Sequence, residues 1–182
     1  MTLLLIGATG MLAQAARQIA AGTPGDIVVM SRRASQFSFG APVLDARSRA
    51  YTADWRDTDA FLQCLDRIAR RHPPVTRAVL WMHGRDEPLR ARIVRLIAPG
   101  GTLVEVLGSA AARPGAFGAV RLKQMRRLPH IRYRQVLLGF TLDNGQGRWL
   151  SHSTICAGVM DALASDDPVT VAGQVEPWDL RP

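Results

Sequence analysis

The run Leu3-Leu4-Leu5-Ile6-Gly7-Ala8-Thr9-Gly10-Met11-Leu12-Ala13 decides how this chain folds. Four consecutive aliphatic residues make a strand buried on both faces, and such strands belong in a parallel sheet with helices on either side. Gly7 and Gly10 interrupt the run, after which Leu12, Ala15, Ala16 and Ile19 recur at the spacing of one helix face. A strand, a glycine turn and a helix start in succession form the setting of a dinucleotide-binding loop. Gly7 permits the tight turn, Gly10 lets backbone amides approach a pyrophosphate, and Ala13 is small enough for helix-on-strand packing. Thr9, Met11 and Leu12 share the loop. The plainer alternative is a glycine turn without a ligand.

Outward from that loop the alternation continues. Asp26 to Met30 predicts a second strand ending at the turn Ser31-Arg32-Arg33, and 34–48 carries no clean helix pattern, so the second crossover helix looks shortened. Ala50 to Ala53 predicts a short strand ending at Asp54 and Trp55. Phe61, Cys64, Leu65 and Ile68 mark a helix opened by Asp57 and Asp59 and closed by Arg67, Arg70 and Arg71, as the helix dipole favours. Val75 to Met82 predicts the fourth strand, Leu89, Ile93, Leu96 and Ile97 a helical stripe, and Thr102 to Leu107 the fifth strand. A helix over 116–128, a strand over 131–140, a helix over 151–164 capped by Ser151 or Ser153, and a strand over 169–172 complete the pattern. The expected architecture is α/β, a three-layer doubly wound parallel sheet in one domain over 1–182, with ligands at the carboxyl ends of the strands.

The composition agrees. At 182 residues, 47% apolar and 21% charged, the chain has the size and balance of one globular domain and excludes disordered or collagen-like classes. No apolar run reaches the roughly 18 residues of a membrane span, and Leu3 to Ile6 lacks a basic leader, so the expectation is a cytoplasmic protein. Cys64 and Cys156 lie far apart without metal-ligand neighbours and read as buried thiols. The net charge of +8 resides in 85–134, where 11 basic residues face three acids, densest at Arg121, Lys123, Arg126, Arg127, Arg132 and Arg134. A phosphate-bearing partner is one meaning of this band. The blander one is an arginine bias decorating solvated helix faces, and without interleaved aromatics there is little support for nucleic acid.

The segment Gly7-Ala8-Thr9-Gly10-Met11-Leu12, with its spacing Gly7, Gly10, Ala13, resembles the short-chain dehydrogenase/reductase superfamily, in its atypical and extended branches, and so implies a Rossmann-like fold. Ala13 stands where that pattern ends in glycine or alanine. The resemblance places Ser31, Arg32 and Arg33 at the adenosine ribose, Asp54 and Trp55 near the adenine, Trp81-Met82-His83-Gly84 beside the nicotinamide ribose, and Ser109 where the family's catalytic serine stands. No acid ends the second strand to bind a free ribose 2′-hydroxyl, whereas Arg32 and Arg33 suit a 2′-phosphate, so NADP is preferred over NAD.

The family's chemistry also uses a tyrosine with a lysine four residues later. Tyr51 and Tyr133 have no such lysine, and the single lysine, Lys123, lies in the basic helix. A hydride acceptor still needs a proton source, and His83 is the candidate because imidazole titrates near neutrality. His152, at the start of the last long helix, is a second candidate, and Tyr133 reads as packing. Three functions remain in view: an NADP-dependent oxidoreductase with a nonstandard proton donor and a small-molecule substrate, a regulatory protein that senses NADP(H) without turnover, and, disfavoured, a nucleic-acid binder. The resemblance also implies a homodimer through the helices after the fourth and fifth strands, against which the like charges on the basic helix would act.

Overall fold

A computed structural model describes residues 1–84, 86–113 and 116–182, so Arg85, the first residue of the basic band, lies outside the described residues. Strands β1 (Thr2–Ile6), β2 (Asp26–Ser31), β3 (Ser48–Thr52), β4 (Val75–Trp81), β5 (Ile97–Gly108), β6 (Arg132–Leu138) and β9 (Val169–Ala172) form one parallel sheet in the order β3-β2-β1-β4-β5-β6-β9. All seven strands run parallel, but the order in which they are added reverses between β1 and β4, which opens a crevice at their carboxyl ends. This is the Rossmann-like architecture expected.

Alternation along each strand divides the core in two. Leu3 and Leu5 face the layer of helices α1 (Ala13–Ala21) and α6 (His152–Ala164), with Ile19, Ile155 and Val159. Leu4 and Ile6 face α3 (Thr58–Arg71), α4 (Glu87–Val94) and α5 (Phe117–Met125), through Phe61, Leu65, Leu89 and Met125. Residues 3 to 6 are fully buried, each worth about 1.5–3 kcal/mol of apolar transfer. Asp57, Asp86 and Ser151 cap α3, α4 and α6, accepting from the backbone N–H groups of Ala60, Leu89 and Thr154, and the choice between Ser151 and Ser153 falls to Ser151.

The shortened second crossover helix is α2 (Pro42–Arg47), which starts at a proline pre-set for the first helical turn. Three other expectations are corrected. The stripe through Leu96 and Ile97 is not helical to its end: α4 stops at Val94, and Ile97 pairs with Val75 as the first residue of β5. The break at Pro99-Gly100-Gly101 is absorbed as a register shift between Val75 and Arg77, so β5 runs twelve residues. Phe140 leaves β6 to begin an antiparallel hairpin, β7 (Phe140–Asp143) and β8 (Gln146–Trp149), closed by Asn144 and Gly145, both with positive φ. Asn-Gly between strand-forming residues is the sequence signal for that turn.

Most described cations of the basic band lie on the solvated surface, as its plainer reading expects, but three do not. Arg90, Arg121 and Arg134 are buried. Arg134 donates to the carbonyls of Ala162 and Leu163 at the end of α6 and pairs with Asp166, a cation at a helix carboxyl terminus. Arg90 and Arg121 flank Glu105, which is fully buried in β5. Lys123, Arg126, Arg127 and Arg132 remain exposed. Both cysteines are free and buried, as expected, and burial pushes the Cys156 thiol up.

Candidate functional site

The phosphate-type loop leaves β1 at Gly7, whose φ of +72° suits glycine and whose missing Cβ would stand 2.0 Å from the Trp81 carbonyl oxygen. The loop is therefore clamped against β4 across the crevice, and the Gly7 N–H donates to the Met30 carbonyl of β2. Over Gly10 the space is open: apart from its chain neighbours, no atom of the described residues lies within 4 Å of where a Cβ would be. Leu12, the residue before α1, offers no capping oxygen and no acid lies in the first turn, so the positive end of this helix faces the crevice without a protein counter-charge.

The remaining candidates lie along the same edge. Thr9 and Ser31 hydroxyls are hydrogen-bonded at 3.0 Å, tying the loop to the end of β2. Arg32 and Arg33 are exposed in the turn, with the Arg32 guanidinium 5.9 Å from the Trp55 ring centroid. Trp55, His83 and Trp81 form a row, the His83 ring 6.3 Å from Trp55 and 4.8 Å edge-on from Trp81. Asp54 is chelated by Arg56, whose Nε and Nη2 donate at 2.9 Å and 2.6 Å to one carboxylate oxygen. That bonding holds its carboxyl at about 2, well below the usual range.

Two neighbouring cavities open at the ends of β4, β5 and β6, sharing Trp81, Gly108 and Ala110 as walls. One, of about 290 Å³, is lined by Met82, His83, Gly84 and Arg90. The other, of about 300 Å³, is lined by Met11, Ser109, Leu138, Trp149, Leu150, Ile155 and Arg181. The structure thus sets His83 and Ser109 in adjacent cavities, not in one. Ser109 is 3% exposed and its Oγ has no hydrogen-bond partner within the protein. His152 is exposed at the start of α6 and lines neither cavity.

The tyrosines point elsewhere. Tyr51 Oη is bonded to His72 Nε2 at 2.9 Å, and Tyr133 Oη donates to Glu105 Oε2 at 2.7 Å. Burial and the adjacent Glu105 carboxylate drive the Tyr133 hydroxyl upward, so it stays protonated. Reading Tyr133 as packing agrees with this position. Among the described residues no cluster of His, Cys, Asp and Glu is suited to a metal, and no helix is long and apolar enough to cross a membrane. Leu138, Ile155 and Arg181 are not among the candidates the sequence offers, and of the segment that opens the last long helix it is Trp149 and Leu150, not His152, that reach the cavity. The Asn144-Gly145 turn could have flagged the hairpin that carries Trp149, whereas no local signal marks Arg181.

No family model matches the chain, and no curated protein matches it. Among solved structures it is similar to a short-chain dehydrogenase/reductase of the glucose/ribitol dehydrogenase kind from Brucella melitensis, at 16% identity and a TM-score of 0.66 over 96% of both chains. It is similar as well to the bulky-bulky ketone specific alcohol dehydrogenase from Comamonas testosteroni, at 15% identity and a TM-score of 0.71 over 98% of this chain and 89% of that one. Serine dehydrogenase from Escherichia coli aligns at 14% identity and a TM-score of 0.64 over 96% of this chain and 97% of that one. Across nearly its whole length, then, the chain has the fold in which short-chain dehydrogenase/reductases are built.

Proposed function

We propose that the protein binds NADP(H) in the manner of short-chain dehydrogenase/reductases and acts as an oxidoreductase with a nonstandard proton donor. The observation that carries this is the clamped Gly7 loop at the reversal point of the sheet, with open space over Gly10 and an uncapped helix start behind it. Those features suit a pyrophosphate held by Gly7, Thr9, Gly10, Met11 and Leu12. Ser31, Arg32 and Arg33 would hold the 2′-phosphate, Asp54 and Trp55 would flank the adenine, and His83 and Gly84 the nicotinamide ribose. Bound NADPH would supply a hydride. For its own part the chain would offer the unpartnered Ser109 hydroxyl to orient a carbonyl and, from the adjoining cavity across the shared Trp81 wall, the His83 imidazole as proton donor.

Titration with NADPH and with NADH, followed by quenching of tryptophan emission from Trp55 and Trp81, tests the reading. Arg32→Ala is expected to raise the Kd for NADPH by about 10- to 100-fold, as loss of a charge-assisted bond to phosphate should, and to leave weak NADH binding unchanged. Absence of binding by either nucleotide at millimolar concentration would overturn it.

A second reading, a sensor that binds NADP(H) without turnover, is favoured by the two tyrosines. Both hydroxyls are engaged away from the cavities, and Lys123 is exposed on α5. Tight NADPH binding without oxidation by any of a panel of carbonyl and quinone substrates, together with a partner captured through exposed Lys123, Arg126, Arg127 and Arg132, would select it. A His83→Ala variant that binds NADPH but loses turnover would select the enzyme.

A further inference from the structure

The cavity at the ends of β5 and β6 has an uneven lining. Met11, Trp81, Leu138, Trp149 and Ile155 make its walls apolar, and among the described residues that form it Arg181 is the one charged side chain. This guanidinium comes from a segment beyond the sheet, where a 3₁₀ turn (Trp178–Leu180) lies against the hairpin. The packing is close: a Cβ on Gly147 of β8 would stand 1.7 Å from the Leu180 carbonyl oxygen. The Arg181 guanidinium lies over the Trp149 ring, its Cζ 5.3 Å from the centroid, at the cavity wall.

Its charge is uncompensated. Arg90 and Arg121 are paired with Glu105, and Arg134 with Asp166. No described acid pairs with Arg181, and its Nε is buried without a hydrogen-bond partner. A guanidinium keeps its charge at any physiological pH, so a half-buried one in an apolar cavity lacks an anion. With a single cation present, a monoanion is the fit, and the flat fork of arginine matches a carboxylate in two parallel bonds. The unpartnered Ser109 hydroxyl on the same lining offers one further polar contact.

We infer that this cavity binds a carboxylate on a compact apolar body, with Arg181 as the residue that selects the anion. That such a compound is the substrate rests on the oxidoreductase reading above. Anion binding itself does not.

The test uses phenylacetate and its neutral counterpart phenylacetamide as probes, measured by calorimetry and by emission of the cavity's Trp81 and Trp149, with and without NADP⁺. Wild type is expected to bind phenylacetate at least about tenfold more tightly than the amide. Arg181→Gln is expected to abolish that preference and Arg181→Lys to keep part of it, since a point charge retains attraction without the fork. Equal affinity for the two probes, no binding of either at about 10 mM, or a preference that survives Arg181→Gln would overturn the inference. So would an Arg181→Gln that weakens NADPH binding and leaves phenylacetate unaffected, because the arginine would then serve the nucleotide. Carboxylate preference that depends on Arg181 in a protein that fails to bind NADPH would leave the anion site standing and remove the cofactor reading alone.

Discussion

Asp54 shows how one neighbouring guanidinium sets the charge state of a carboxylate. The sequence puts it after the third strand, where an acid near an adenine is expected, and the structure places it there with both oxygens engaged by Arg56. Because its folded value of about 2 lies below that of an unpaired aspartate, the pair stabilises the native state above about pH 4 and loses that contribution as pH falls through about 2. Both groups face solvent, so the contribution is small and screened by salt. An NMR titration of the Asp54 carboxyl carbon is expected to give a midpoint near 2 in wild type and to return toward 3.8 in Arg56→Gln. A wild-type midpoint near 3.8 would show the chelation to be absent in solution. Gly7 is the simpler case, since only a residue without a Cβ can pass the Trp81 carbonyl at this turn.

At the scale of elements, the helices and central strands are legible along their length, whereas the hairpin is marked only at its Asn144-Gly145 turn. The α3 helix announces itself through an aspartate cap, a four-residue apolar face and a basic end, all local features. The β7–β8 hairpin has an exposed four-residue strand on each side of its turn, and no buried face to mark it beyond Phe140. Its importance comes from what it supports. Gly147 leaves room for the Leu180 backbone, which holds Arg181 over Trp149. Gly147→Val is expected to displace that segment and weaken phenylacetate binding by about tenfold or more, with NADPH binding retained. Calorimetry with both ligands measures this, and unchanged phenylacetate affinity would show that the segment is held by other contacts.

For the molecule as a whole, the decisive correction concerns charge. Arg90, Arg121, Tyr133 and Glu105 meet between the sheet and helices α4 and α5, with Arg90 Nη1 2.9 Å from Glu105 Oε1 and Arg121 Nε 3.2 Å from Oε2. Arg90 also donates to the carbonyls of Met82 and Gly84, so the network reaches the loop that carries His83. Two buried cations depend on one carboxylate, with Glu87 assisting Arg121 from the surface. Glu105→Gln keeps the shape and removes the charge, and is expected to destabilise the fold by about 3–5 kcal/mol, read as a lower midpoint in urea unfolding. A change below about 1 kcal/mol would mean that water or another acid compensates the arginines. The inward turn of Arg121 also weakens the objection that α5 would repel a symmetric copy, because fewer of its charges reach the surface.

The sequence by itself determined the strand order's raw material and the phosphate-type loop, because buried parallel strands, helix faces and glycine turns are written in residues within about twenty positions of one another. It also placed Ser31, Arg32, Asp54, His83 and Ser109 at strand ends, since those positions follow from the strand boundaries alone. Only the tertiary structure decided which arginines of the basic band are internal, because burial of a charge depends on a partner such as Glu105 that lies 15 or more residues away along the chain. It alone brought Arg181 to a cavity that begins at Met11, for that contact joins two ends of the chain and no local pattern encodes it.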